Sequence, residues 1–157
     1  MILLALLLSS VPIIAEGISF TCTPTRVWDG DGPMWCEEGP RLRLNGIAAR
    51  ETDGSCRKGH PCPTAPAEAA TAALVQVLQP VQAHLLPSGH MSLAGAPSLS
   101  CVSGGSAGGT RTAARCWRPD KVEISCAMVA TGTVLAWERF SKGVYRNCYV
   151  STGRGED

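Results

Sequence analysis

The sequence predicts a single α+β domain that is mainly β and carries two to three helices. Short stretches of the first half alternate apolar and polar residues, which is the pattern of half-buried strands. Two later stretches repeat their apolar residues at helical spacing. The 157 residues fit one domain with its own core, and the 8 cysteines form an even set typical of a disulfide-bonded fold.

The strands of the first half surround an acidic turn at Asp29. They are predicted at residues 18–22 together with 26–28, at 33–37, and at 41–47. Side chains alternate along a strand, so Leu42 and Leu44 should face one way and Arg41 and Arg43 the other. The two arginines are therefore expected to share one face of the sheet.

Two helices are predicted in the second half. The first begins near Thr64, which is expected to cap it, and Pro80 should stop it. The second covers about 122–130 and ends at Gly132, a residue that suits a helix C-terminus.

The segment between the helices is rich in glycine, serine and proline over residues 87–109. It has one strand-like patch, 99–102, and its glycine run 104–109 is predicted to be a long hairpin loop. A phosphate-binding P-loop is the alternative, but the lysine and the following helix are missing. Residues 111–117 then alternate as a further strand.

The cysteines are predicted to form four disulfides rather than a metal site, because the spacing around His60 fits no common zinc pattern. Two pairs would link hairpin partners, one would close a short Gly/Pro loop, and the last follows by elimination. The predicted pairs are Cys22 with Cys36, Cys101 with Cys116, Cys56 with Cys62, and Cys126 with Cys148.

Residues 1–15 are almost wholly aliphatic and predict a signal peptide. They are too few to span a bilayer, which takes about 20 apolar residues. We therefore expect a domain at 16–150, a polar tail at 151–157, and a secreted or periplasmic protein without a membrane segment in its mature form. The formal charge of +1 excludes a protein that holds nucleic acid by charge alone. Any contact of this protein with nucleic acid should therefore involve few phosphates.

Most of the residues that could take part in catalysis or ligand binding lie between Trp28 and Glu51. An acidic turn contains Asp29 and Asp31, the following strand carries Arg43, and Glu51 closes the segment. Carboxylates bind hard cations through oxygen, and arginine forks match phosphate oxygens. Together they favour attack on a phosphodiester. No nucleophile elbow indicates a serine hydrolase.

The order of these elements resembles the staphylococcal nuclease, or thermonuclease, family. The resemblance runs from about Phe20 to Phe140 and rests on the DGD turn, the spacing of Arg43 and Glu51, and an arginine at Arg111. It is closest to short exported bacterial members with several cysteines. It implies an OB-type five-stranded barrel with two to three helices.

The resemblance also implies a Ca²⁺-dependent phosphodiesterase that hydrolyses DNA or RNA as a monomer. Asp31, Glu51 and the main-chain carbonyl of Ala49 would bind the ion, with Asp29 behind them. Glu51 would activate water, and Arg43 and Arg111 would neutralise transition-state charge.

The chain departs from the family at the metal site. Ala48 replaces a metal-binding aspartate, and Arg50 replaces a proline and should add positive charge beside the site. Weak Ca²⁺ binding or another divalent ion is therefore expected. The alternative is a non-catalytic OB-type binding module that kept the scaffold. The histidines and the tryptophans are expected to serve packing or solvent-facing roles.

Overall fold

The computed structural model describes residues 10–79 and 81–150. The predicted tail at 151–157 and residues 1–9 of the predicted signal peptide lie outside the described residues. The fold is α+β and mainly β. Its strands are β1 (Ser19–Cys22), β2 (Pro24–Val27), β3 (Met34–Cys36), β4 (Arg41–Leu44), β5 (Ile47–Ala48), β6 (Gln82–Leu85), β7 (Met91–Ala94), β8 (Leu99–Ser106), β9 (Arg111–Trp117) and β10 (Leu135–Ala136). Its helices are α1 (Ala67–Val77), α2 (Ile124–Ala130) and α3 (Glu138–Ser141), followed by a 3₁₀ turn at Arg146–Cys148.

The main sheet has the strand order β1-β8-β9-β4-β3-β2-β7-β6, and β10 pairs with β5 in a small second sheet. The pairing of β4 with β9 is parallel, and the other pairings are antiparallel. Only Thr23 separates β1 from β2, yet β1 pairs with β8 while β2 pairs with β3 and β7. One extended segment therefore touches two distant places in the strand order.

Strand β4 shows the predicted alternation. Leu42 and Leu44 are buried in the core, whereas Arg41 and Arg43 are half-buried on the other face. Strand β9 alternates in the same way. The large side chains at the centre of the core are Tyr145, Met34, Leu42, Leu44, Ile47, Leu74, Leu78, Leu99, Ile124 and Met128. The opposite face of β4 and β9 is therefore free to carry polar groups.

Helix α1 begins three residues later than the predicted cap. Pro66 is its N-cap and makes no side-chain capping bond, so the predicted role of Thr64 is wrong. A residue before proline avoids helical geometry, which keeps Ala65 outside the helix and leaves Thr64 too far away. The helix ends at Val77, before Pro80, which lies outside the described residues.

The hairpin of β6 and β7 was not predicted. Its strands pair with each other, and β7 also pairs with β2, which adds two strands to that side of the sheet. The alternation in β6 is weak because three of its four residues are exposed. Pairing with β2, rather than a pattern of its own, holds this hairpin in place.

The four disulfides join the pairs predicted from the sequence. The bonds are Cys22 with Cys36, Cys56 with Cys62, Cys101 with Cys116, and Cys126 with Cys148, and no described cysteine is free. Four disulfides fit an oxidising compartment. Within the described ranges, no helix is both long enough and apolar enough to cross a membrane.

Hydrogen bonds to the carboxylate of Glu123 connect Tyr145 to Arg115 of β9. Arg115 donates two hydrogen bonds of 2.9 Å to the carboxylate of Glu123, and the hydroxyl of Tyr145 also donates to that carboxylate. Burial first, and then the hydrogen bond to Glu123, raise the pKa of Tyr145 to about 12. The guanidinium of Arg115 therefore forms a bidentate ion pair with Glu123.

Candidate functional site

One cleft of about 820 Å³ brings the predicted site residues together. Asp29, Asp31, Arg43, Glu51 and Arg111 all line it. The main chain of Ala49 lies beside the cleft, and its N–H donates a 3.2 Å hydrogen bond to Asp31. The sequence positions of these residues span much of the domain, and the fold gathers them in one place.

The sheet explains how Arg43 and Arg111 come to share this cleft. In the parallel pair of β4 and β9, Arg41 lies opposite Arg111 and Arg43 lies opposite Ala113. These positions face away from the core because Leu42 and Thr112, which are also opposite each other, are fully buried. Arg43 and Arg111 therefore project from neighbouring strands on the same face.

Arg43 is held firmly by its surroundings. Its guanidinium donates a 2.9 Å hydrogen bond to Asp31 and longer bonds to the carbonyls of Leu44 and Ile47. It also lies over the ring of Trp137, 5.4 Å from the centroid. The side chains of Arg43 and Asp31 are each 13% exposed, so this ion pair is largely shielded from solvent.

Asp29 is buried beside Asp31, and it has an unusual protonation equilibrium. Burial is the main cause that raises its pKa to about 9, and the charges of Asp31 and Glu51 add to the effect. Its carboxylate accepts a 3.3 Å hydrogen bond from the N–H of Asp31. Asp29 is therefore expected to be neutral at pH 7, and it contributes a hydrogen-bonding group rather than a charge.

Glu51 sits at the start of a turn and forms an ion pair that the sequence did not predict. Arg57 approaches its carboxylate to 3.1 Å, and the side chain of Arg57 is 59% exposed while that of Glu51 is 31% exposed. An exposed pair of this kind contributes little stability. Glu51 therefore remains accessible from the cleft. No spacing rule connects residues 51 and 57 in a loop, so sequence alone had no signal for this contact.

Arg111 is fixed by the turn between β8 and β9. It donates hydrogen bonds to the carbonyls of Ala107 and Gly108, at 3.0 and 3.3 Å. Gly108 has a φ of +88°, which glycine adopts without strain. Within the described part of the chain Arg111 has no acidic partner, so its charge is available to the cleft.

Two groups of aromatic and histidine rings line the cleft. Trp28, Trp35 and His90 form the first, which we call the hairpin wall. His60, Trp137 and Phe140 form the second, which we call the loop wall. In each wall a distant histidine joins two rings that are near each other in the sequence, since His90 joins Trp28 and Trp35 and His60 joins Trp137 and Phe140.

The rings of each wall are packed closely. In the loop wall the rings of His60 and Trp137 have centroids 4.2 Å apart, and those of Trp137 and Phe140 are 4.7 Å apart. Burial first, and then the nearby Arg43 and Arg57, lower the pKa of His60. The two groups therefore do more than pack the core, since they form the sides of the cleft.

The donor set as arranged does not fit a resident Ca²⁺ ion. That ion takes about six to eight oxygen ligands, preferably from charged carboxylates. Here Asp31 and Glu51 each pair with a guanidinium, and Asp29 is held neutral. Among the described residues, no three side chains of acidic, histidine or cysteine type form a group that could hold a metal.

The two departures at positions 48 and 50 have different structural consequences. Ala48 is fully buried in β5, opposite Leu135. Arg50 turns away from the cleft and donates 2.7 Å hydrogen bonds to the carbonyls of Gly54 and Pro63. These two carbonyls hold its guanidinium in the neighbouring loop, and Arg50 does not line the cleft.

Comparisons of the chain with protein-family profiles, with curated proteins and with solved structures find no match. The function proposed for this cleft therefore rests on the residues of this chain alone.

Proposed function

We propose that the protein is an exported phosphodiesterase that hydrolyses DNA or RNA, with nucleic acid as its partner and with no stable protein partner. The observation that carries this proposal is the meeting of Arg43, Glu51 and Arg111 in one cleft. Two arginines supply planar cationic forks for phosphate oxygens, and one accessible carboxylate supplies a base. Signal cleavage after residue 15 and a monomeric mature protein belong to the same proposal.

We also propose that the sheet closes into an OB-type five-stranded barrel. The support is the segment made of β1 and β2, which is interrupted only at Thr23. Counted as one strand, it pairs with β3 on one side and with β8 on the other, so the circuit runs through β3, β4, β9 and β8. The hairpin of β6 and β7 would then be an addition outside the barrel.

The proposed reaction assigns a role to each residue. Glu51 takes a proton from the attacking water as the water adds to phosphorus. The bond to the leaving oxygen breaks on the opposite side, and that oxygen keeps the electron pair and takes a proton from solvent. Arg111 and Arg43 stabilise the charge that gathers on the phosphoryl oxygens. The preorganised position of Arg43, held by Asp31 and two carbonyls, keeps its guanidinium in place while that charge develops.

A second candidate function is a non-catalytic nucleic-acid-binding module. The observation that favours it is the pairing of Arg43 with Asp31 and of Glu51 with Arg57, because each pair neutralises a group that catalysis needs. The rings of the two walls would serve binding equally well in such a module.

One experiment separates the two functions. Oxidised protein that starts at residue 16 is incubated with single-stranded and duplex DNA and RNA, in EDTA and with Ca²⁺, Mg²⁺ or Mn²⁺. The matched variants are Glu51→Gln, which removes the proposed base, and Glu138→Gln, which changes an acid outside the cleft. Cleavage that Glu51→Gln abolishes and Glu138→Gln retains supports the enzyme.

The other outcomes are equally informative. Binding without cleavage under every condition supports the binding module. Protein that neither binds nor cleaves any of the four nucleic acids contradicts both functions.

A further inference from the structure

The hairpin of β6 and β7 places a histidine in the cleft. The turn closes through hydrogen bonds from Leu86 N–H to the carbonyl of His90 and from Gly89 N–H to the carbonyl of Leu86. His90 then lies between two tryptophans, with its ring centroid 4.4 Å from that of Trp28 and 5.0 Å from that of Trp35. The hairpin therefore completes a wall of three rings.

These rings are arranged as a surface rather than as part of the core. All three are half-buried and line the cleft, whereas the large side chains of the core are fully buried. Burial, followed by the charge of Arg26, lowers the pKa of His90, which favours an uncharged ring. A neutral imidazole beside an indole offers flat faces on which a planar base can stack.

Cationic groups lie next to the same rings. The guanidinium groups of Arg26 and Arg41 lie 5.5 and 5.6 Å from the centroid of the Trp35 ring. Rings interleaved with arginines are the composition of single-strand binding surfaces, in which the rings stack bases and the arginines meet the backbone. This composition favours a nucleotide over an apolar ligand.

The register of the sheet gives the spacing between this wall and the proposed phosphate site. Trp35 lies opposite Arg41 in β3 and β4, and Arg41 lies opposite Arg111 in β4 and β9. Two strand spacings of about 4.8 Å put Trp35 roughly 10 Å from Arg111 along the sheet. The loop wall adjoins Arg43, whose guanidinium lies over the Trp137 ring.

We propose that the hairpin wall is a nucleobase subsite, which holds a base of a single-stranded nucleic acid whose phosphate lies at Arg43 and Arg111. The subsite rests on the proposed nucleic-acid function of the cleft. A paired base cannot offer its face to these rings, so the strand must be single where it enters the subsite.

The test measures binding of short fluorescent single-stranded oligonucleotides to Glu51→Gln protein, which prevents cleavage. One base at a time is replaced by an abasic site. Loss of a stacked base should weaken binding by about 5- to 150-fold at the position that occupies the wall. This measurement leaves the wall intact and does not depend on the folding of a wall variant.

Two wall variants, His90→Ala and Trp28→Ala, are then compared with His84→Ala in the same background. His84 is exposed on the same hairpin and does not line the cleft, so it is the matched control. The abasic penalty at one position should shrink at least fivefold in either wall variant and stay unchanged in His84→Ala.

Oligonucleotide binding with equal abasic penalties in all three variants overturns the subsite while the proposed function stands. The same holds if no abasic site weakens binding to protein with an intact wall. Failure of every oligonucleotide to bind overturns the proposed function, and the subsite with it.

Discussion

Replacing Arg43 with alanine tests whether one side chain serves both the fold and the proposed reaction. The change removes the ion pair with Asp31, two hydrogen bonds to carbonyls and the contact with the Trp137 ring. Arg43 and the N–H of Ala49 both donate to Oδ2 of Asp31, so in the variant this oxygen keeps only the bond from Ala49.

The expected loss of stability follows from the shielding of this pair. Removing one partner of a buried ion pair costs about 3 to 5 kcal/mol, because the other charge stays buried and unpaired. The two side chains are each 13% exposed, so a free energy of unfolding lower by about 3 kcal/mol is expected, at the low end of that range. Activity on nucleic acid should fall by about 10² to 10³ in rate.

Urea denaturation of wild type, Arg43→Ala, Asp31→Ala and the double variant measures the pair directly. The coupling free energy between the two sites should be about 1 to 3 kcal/mol. Arg139→Ala is the control, since Arg139 is an exposed residue of the same cleft and should change stability by less than about 0.5 kcal/mol. A coupling near zero would refute the argument that Arg43 is anchored by Asp31.

Three further predictions follow, two on stability and one on the protonation of Tyr145. Burial raises the pKa of Asp29 to about 9, so its contribution to the free energy of unfolding is greatest below about pH 4 and is lost as the pH rises toward 9. Asp29→Asn should therefore be the more stable protein near pH 8, by more than ~1.4 kcal/mol in urea denaturation. Glu123→Gln should lower the pKa of Tyr145 in an ultraviolet titration, because the carboxylate now raises it. Replacing both Cys22 and Cys36 with alanine should lower the free energy of unfolding by about 3 kcal/mol, since their separation is 14 residues.

Each of these predictions has a clear contrary result. A stability difference between wild type and Asp29→Asn that is constant from about pH 5 to pH 8 contradicts the raised pKa. An unchanged titration of Tyr145 contradicts the role of Glu123. Equal denaturation midpoints with and without the first disulfide contradict the contribution given to it.

The strands that carry the site could be predicted because one of their faces is buried. In β4 and β9, burial of every second residue fixes which side chains point outward, and a shift of one residue would expose the core. That alternation was sufficient to place Arg41 and Arg43 on one face. Three disulfides were predictable because they link hairpin partners or close a short loop, and the pair of Cys126 with Cys148 followed by elimination.

Other features depended on contacts that no local pattern records. The segment of β6 continues the helical spacing of apolar residues at Val81 and Leu85, but pairing with β7 makes it a strand. The contact of Glu51 with Arg57 depends on the path of a loop, and the rings of both walls meet only after the chain has folded. Tertiary context decides each of these cases.

The disulfide framework has a consequence for a chain cut by a protease. Two bonds lie entirely within residues 22–62 and two within residues 101–148, and none overlaps another. A single cut between Cys62 and Cys101 therefore yields two fragments that no covalent bond joins. Strand pairing of β1 with β8, β2 with β7 and β4 with β9 spans such a cut if it falls before β6. Because no disulfide would hold these fragments together, their association would depend on strand pairing and other non-covalent contacts alone.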